Sequence, residues 1–512
     1  MNQTKSFLII LLIVIQCSPG SVQAQISEVN ILSLGAKGNA NFSNTGIIQQ
    51  AIDKMHAAGG GKVILPAGKY LTGSISLRSG VTLELLYGAI LLGSTDPFDY
   101  LDQENNLQQL INAEEANQIA IIGAGSIDGR GKQLALKIDS LYHAGIWNDP
   151  GYNFRRHRPG RRPKLMEFRK CNDIKLQGIT VKNSASWVLN FDLCSNLRID
   201  RVTVDSDDYW NNDGMDIGDC KNVRITNCYV NSADDGICLK SHHQDHLNDS
   251  IYIANCTVRS SGSAIKFGTA SHGGFRNVKI ENIRIFDTFR SAIALESVDG
   301  GILEDVEISG ITAINTGNAI FIRLGHRNQD GPVGTLRNIR IRDVMVQVPF
   351  SAPDQEYTIR GPELPFFHNP FPASITGIPG HKVEDVQLEN IRIFYPGHAD
   401  PGYAQIPVNR LDDVPENEAA YPEFHMFGEL PAWAFYVRHV DGLSFKNIEV
   451  KVKNQDFRPA FVFDDVDDLN LDHINISPWN AEKQVILKDV HNHSIDRISI
   501  DGELSDQVLL KL

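Results

Sequence analysis

Residues 195–207 read SNLRIDRVTVDSD, residues 221–233 read KNVRITNCYVNSA and residues 249–261 read DSIYIANCTVRSS. Each phrase is a short run alternating Ile, Val or Leu with polar residues, a polar turn that often carries Asn, and a second short run. Alternation of period two puts the apolar side chains of a run on one face. Related phrases occur on both sides: IAIIGAGSIDGRG (119–131), NDIKLQGITVKNS (172–184), RNVKIENIRIFDT (276–288), GILEDVEISGITAINT (301–316), and, near the end, GLSFKNIEVKVK (442–453), DLNLDHINIS (468–477) and SIDRISIDG (494–502). Self-similarity at a period of roughly 20 to 30 residues marks a solenoid, and strands this short with no helices between them specify a β-helix. Propeller-blade signatures are absent and Asn-Gly hairpin turns are scarce, which argues against a propeller or a sandwich.

Upstream, one amphipathic helix is expected over 45–58, with Ile47, Ile48, Ala51, Ile52 and Met55 on its apolar side and a glycine C-cap. Short strands then follow at 62–65, 68–71, 74–77 and 81–86, separated by Pro-Ala-Gly or Ser-Gly turns. This stretch resembles the N-terminal cap and first coils of right-handed parallel β-helix proteins of the pectinase kind. The resemblance implies that the helix plugs the open end of the core and covers a sheet edge. The repeat breaks at about 345–435, where ELPFFHNPFP and YPEFHMFGELPAW are rich in Pro, Phe, Tyr and His around one coil, HKVEDVQLENIRIF (381–394). Insertions of that length in a compact repeat protein are usually functional, and their aromatic content argues against disorder. No linker divides the chain, so 25–512 reads as one domain.

The chain has 48 Lys and Arg against 62 Asp and Glu, a net charge of -14, which disfavours a nucleic-acid or anionic-membrane partner. A locally basic cleft for an acidic polysaccharide is compatible with it. Residues 1–24 have the layout of a Sec signal peptide: Lys5, an apolar run over 7–15, Ser18-Pro19-Gly20 and the small-residue site Val22-Gln23-Ala24. A secreted or periplasmic protein is expected, with no other apolar run long enough to span a membrane. Six cysteines follow the leader, and Cys171, Cys194 and Cys220 each precede a matching phrase. Stacked, buried thiols in successive coils are expected in preference to disulfides.

The residues that carry chemistry lie in NNDGMDIGDCKNVRITNCYVNSADDGICLK (211–240), where Asp234 and Asp235 follow Asp213 by 21 and 22 residues. At one coil per repeat those carboxylates meet on one face. The coils can be superposed on a small-apolar step, Gly214-Met215, Gly236-Ile237, Ala264-Ile265, Ala292-Ile293 and Ala319-Ile320. Met or Ile then points inward, and the outward positions are Asp216, Cys238 with Lys240, Lys266, Ala294 with Glu296, and Phe321 with Arg323. Asp213, Asp235, Ser263, Ser291 and Asn318 stand just before each step. Closely held carboxylates cannot all ionise, which provides the split in proton affinity that glycoside hydrolysis needs.

At this point the resemblance is specific. NND (211–213) and ADD (233–235) match the NTD and DD motifs of glycoside hydrolase family 28, the polygalacturonases, and SASWVLNFDLC (184–194) matches a family phrase built around Trp187. The resemblance implies an inverting hydrolase with Asp235 as general acid, Asp213 and Asp234 activating water, and a pectic carbohydrate as partner. No cofactor or metal is expected. Two family motifs are changed. The GHG motif aligns with Gly262-Ser263-Ala264, and the RIK motif, which holds a galacturonate carboxylate, aligns with Ala294-Leu295-Glu296. Two cations are lost there and an anion gained. Candidate substrate contacts are Trp187, Lys240, Ser263, Lys266, Glu296, Arg323, His326 and Arg327. Phe366, Phe367, Tyr421 and Trp433 are further candidates for rings that stack on sugars and close the cleft to a pocket, giving exo action or a preference for oligosaccharides. Two other readings use the same fold. A polysaccharide lyase would show chelator-sensitive activity and unsaturated products, and a non-catalytic carbohydrate-binding β-helix would be indifferent to Asp235→Asn.

Overall fold

The computed structural model describes residues 27–357, 371–397, 406–479, 483–505 and 508–512. The leader expected over 1–24 and the rings of Phe366 and Phe367 lie outside them. The chain coils as a right-handed parallel β-helix in which each strand pairs with those one coil before and after. One ladder shows the register: Asn172, Ser195, Lys221, Asp249, Arg276, Glu304 and Arg337 are successive partners. Two positions further along the same strands, Ile174, Leu197, Val223, Ile251, Val278, Val306 and Ile339 stack inward. They belong to one apolar core that runs from Val29 to Val508.

The polar turn is what lets every coil repeat this register. The residue left out of the pairing between those two columns has positive φ in coil after coil: Asp173, Asn196, Asn222, Ser250, Asn277, Asp305 and Asn338. Asn and Asp tolerate that left-handed region better than other residues with a side chain, because their short polar groups bond locally. Their amides also bond along the stack, Asn196 Nδ2 donating to Asn172 Oδ1 at 2.7 Å and Asn277 Nδ2 to Asp249 Oδ1 at 2.8 Å. The six cysteines from Cys171 to Cys256 are free and buried, as the repeat phrases imply.

The capping helix α1 spans Thr45–Ala57 and buries Ile48, Ala51, Ile52 and Met55 against the first coils. It stops at Gly59, whose φ of 87° is open to glycine, with the Gly60 N–H donating to Met55 O at 2.9 Å. A second helix, α2 (Gly131–His143), corrects the expectation of strands alone after the cap. Its sequence GKQLALKIDSLYH places Leu134, Ala135 and Ile138 on one buried face, a helical period inside a chain otherwise read with period two. Among the described residues no helix is long and apolar enough to cross a membrane.

The insertion contributes a second, smaller apolar cluster. Phe371, Leu411, Val414, Phe424, Phe427 and Leu430 pack on the outward side chains of Ala294, Phe321, Tyr436, Val462 and Ile486. One outward column of this sheet is therefore polar in its earlier coils and apolar, and covered, in its later ones. Because each coil contributes the same inward column, Ile225→Ala should lower the urea midpoint by an amount equivalent to about 2–5 kcal/mol. The same change at Ile314, which is 43% exposed, should cost less than about 0.5 kcal/mol.

Candidate active site

The floor of the site is the outward face of the strands Met166–Arg169, Leu189–Asp192, Met215–Gly218, Ile237–Ser241 and Ile265–Ser271. In register across them stand Glu167, Asn190, Asp216, Cys238 and Lys266, followed by Ala294 and Phe321. The backbone stacks Asp213, Asp235, Ser263 and Ser291 as expected, since the N–H groups of Gly214, Gly236 and Ala264 donate to the carbonyls of Asp235, Ser263 and Ser291. The close spacing requires small residues at the step. A Cβ on Gly214 would lie 2.5 Å from Val230 Cγ1, and one on Gly236 would lie 2.5 Å from Val258 Cγ1.

Two buried lysines separate the carboxylates. Lys240 Nζ lies 3.1 Å from Asp213 Oδ2 and 2.9 Å from Asp216 Oδ1. Burial and the Asp216 charge drive the Asp213 carboxyl well above the usual range, with Lys240 opposing them. Lys266 Nζ lies 3.2 Å from Asp235 Oδ2 and 4.0 Å from Glu296 Oε2. Burial pushes Asp235 up, but Lys266, Lys240, Arg290 and the Ser263 N–H, which donates at 3.0 Å, outweigh it and hold the carboxyl at about 2. Asp235 is thus a carboxylate in this cleft, which runs against its expected role as proton donor. Glu296 goes the other way: burial raises it to about 8, with Lys266 too distant to offset the cost. Asp234 is the half-buried member of the three. Its side chain accepts from Asn211 Nδ2 at 3.3 Å and makes no ion pair among the described residues. Asn212 is structural, fixing the turn through the carbonyls of Ser184 and Ser186 and the Ser206 hydroxyl.

The other expected contacts divide. Trp187 is half-buried beside the cleft, with Lys164 and Lys240 at 4.7 and 4.9 Å from its ring. Tyr421, on the insertion, reaches across the face to Lys266 and Arg327, 5.6 and 5.9 Å from its ring. Arg323 is fully buried beneath the insertion, donating to Gly377 O and Glu416 O and stacking on Phe427, so it anchors the loop rather than facing the cleft. His326 is tied to Gly331 O, and Arg327 forms an ion pair with Asp299. Trp433 is buried, its indole donating to Gln484, and offers no platform to a sugar. The changed RIK position has a packing reason: Ala294 lies under the apolar cover of the insertion, where an arginine has neither room nor water.

Several site residues carried no weight in the sequence reading. Arg290 Nη1 lies 2.7 Å from Glu423 Oε1, and both are close enough to Asp234 and Asp235 to feel their charge. The repeat showed neither, because one lies where the strand register shifts between Thr288 and Ser291 and the other in the insertion. Arg162 donates to Trp210 O and to Asn211 Oδ1, joining the loop after α2 to the turn that carries Asp213. Five arginines and a lysine between Arg155 and Lys164 in an acidic chain were the available signal. Asp192, Asp219 and His243 form a group close enough to hold a cation. The Asp219 oxygens are already taken by the Ser241 hydroxyl and the N–H groups of His242 and His243, so the group braces a turn.

Comparison with known proteins agrees with this geometry. The model for glycosyl hydrolases family 28 matches residues 59–349, which include all three aspartates and end where the long insertion begins. The chain is 26% identical over 349 residues to a probable polygalacturonase of Vitis vinifera, covering 64% of this chain and 62% of that protein. It is 24% identical over 375 residues to an exo-poly-alpha-D-galacturonosidase of Dickeya chrysanthemi, covering 62% of each. The chain thus spans about three fifths of these relatives' length. Among solved structures, a family 28 exopolygalacturonase of Yersinia enterocolitica superposes with a TM-score of 0.60 at 19% identity, over 94% of this chain and 80% of that one, which shows a shared fold. With the family match extending over more than half of its length, the chain belongs to glycosyl hydrolases family 28.

Proposed function

We propose that the protein is an exported glycoside hydrolase that cleaves a pectic carbohydrate with inversion, acting on chain ends or short oligosaccharides. The observation that carries this reading is the cluster of Asp213, Asp234 and Asp235, divided by Lys240 and Lys266 into groups of unequal proton affinity. Inversion needs one carboxyl to protonate the leaving oxygen and another to activate water on the opposite face of the sugar. Asp235, ionised and fixed by Lys266, suits the second task. The sequence assigns Asp213 to it as well, but burial and the Asp216 charge push that carboxyl up, which leaves Asp235 as the base. The donor must reach the substrate, and Asp234 is the half-buried carboxyl of the three, with no ion pair among the described residues to hold it back from the cleft. This exchanges the expected roles of Asp234 and Asp235.

The insertion supports action on chain ends. Tyr421 and Glu423 stand over Lys266 and Arg290, and the apolar layer behind them covers the coils of Ala294 and Phe321, so a long polymer has no path along that part of the face. The relatives named for exo action are consistent with it. Glu296, protonated near neutrality, gives the pocket a hydrogen-bond donor in place of a fixed anion.

Asp235→Asn should retain the fold by circular dichroism and lose at least about a hundredfold in kcat on pectic oligosaccharides. Undiminished turnover would overturn the hydrolytic assignment. Chromatography of early products from a long pectic polymer should show mono- or disaccharides without a ladder of intermediate lengths, and a ladder would refute the closed pocket. Glu296 also makes a stability prediction. Below its unfolded value near 4.5 both states hold the proton, whereas from there to about 8 only the folded state does, so stability falls as pH rises through that window. Glu296→Gln should flatten this decline, seen as a smaller drop in Tm between about pH 5 and pH 8.

A further inference from the structure

Most cations at the cleft are already paired. Lys240 is held by Asp213 and Asp216, Lys266 by Asp235, Arg290 by Glu423 and Arg327 by Asp299. Arg158 and Arg162, in the loop between α2 and the strand Met166–Arg169, form no ion pair among the described residues. Arg162 is buried against the Tyr209 ring at 5.3 Å, and its Nε has no acceptor. Arg158 is half-buried, bonds through Nη1 only to Pro159 O at 3.4 Å, and also has an unpartnered Nε. The two guanidinium groups are close enough to oppose each other: burial and then the Arg158 charge bring Arg162 down to about 10. Asp149, whose field reaches both, is engaged by the N–H groups of Gly151, Gly160 and Arg161. The charge of Asp234 also reaches Arg158, which places this pair beside the catalytic turn.

Two desolvated like charges without a counter-ion are unfavourable unless something supplies one. We propose that Arg158, supported by Arg162, binds the carboxylate of a uronic acid unit on the side of the catalytic aspartates opposite the insertion. The insertion side has no spare cation to offer a second carboxylate, since Lys266 and Arg290 are paired and neither Glu296 nor Glu423 can supply a positive charge. The preferred substrate therefore carries a uronate on the Arg158 side of the cleaved bond and a neutral sugar on the other. This is a mixed backbone, not an unbroken run of uronates. The inference rests on the cleft being a carbohydrate site and deepens that reading by naming the charge pattern of the substrate.

The test is calorimetric titration of the full-length protein with D-galacturonate, its 6-methyl ester and D-galactose, repeated on Arg158→Gln and Arg158→Lys. Wild type should bind the acid at least about tenfold more tightly than the ester or galactose. Arg158→Gln should abolish the preference and Arg158→Lys should restore part of it. Equal binding of acid and ester, no binding of any of the three, or an unchanged preference in Arg158→Gln would each overturn the proposal, even in a fully active enzyme. Acid-selective binding by a protein that cleaves no pectic fraction would overturn the hydrolytic reading alone.

Discussion

Parallel pairing between successive coils is the constraint on which everything else in the molecule depends. Each strand satisfies its N–H and C=O groups with the coil on either side, so residues one coil apart are fixed at the spacing of neighbouring strands, roughly 4.8 Å. That spacing makes a column of any property the repeat carries. Ile174, Leu197 and Val223 become continuous core, and Asn196 and Asn222 become a stack of left-handed turns. Asp213 and Asp235, well separated along the chain, become neighbours.

The same spacing would be ruinous for carboxylates without compensation, because like charges in a desolvated column repel. The chain answers with buried lysines from adjacent strands, Lys240 and Lys266, each reached by two acidic groups. Excess negative charge then leaves some groups, such as Asp213 and Glu296, favouring their protons while Asp235 stays ionised. Proton affinities at this site follow from the balance of burial against nearby charges, which falls differently at each carboxylate. The later coils of the same face take another solution, replacing polar groups with Ala294, Phe321 and Tyr436 under an apolar insertion. The carboxylate-bearing face and the covered face are thus one sheet with two kinds of outward residue.

Long-range repetition was legible because it lies in the order of residue types. The phrases from 119 to 316 indicated coil number, inward columns and the meeting of the aspartates, and even the placement of Lys266 one coil beyond Cys238. Arg323 was misread as a cleft residue because an outward position in a strand is exposed only when nothing covers it, and the covering segment lies about a hundred residues away; Trp433 was misread because an aromatic-rich insertion does not reveal which of its rings pack into the main core. α2 was missed since a helical period within one turn of a solenoid is masked by the period of two on either side.

What the sequence determined by itself is the β-helix, its capping helix, and the meeting of Asp213, Asp234 and Asp235 on one face, since stacking converts sequence period directly into proximity. Tertiary structure alone decided which of those carboxylates is held ionised, which coils lie open, and which arginines remain without a counter-charge. These properties depend on burial and on distances of a few ångströms between segments with no shared period, and no pattern along the chain encodes them.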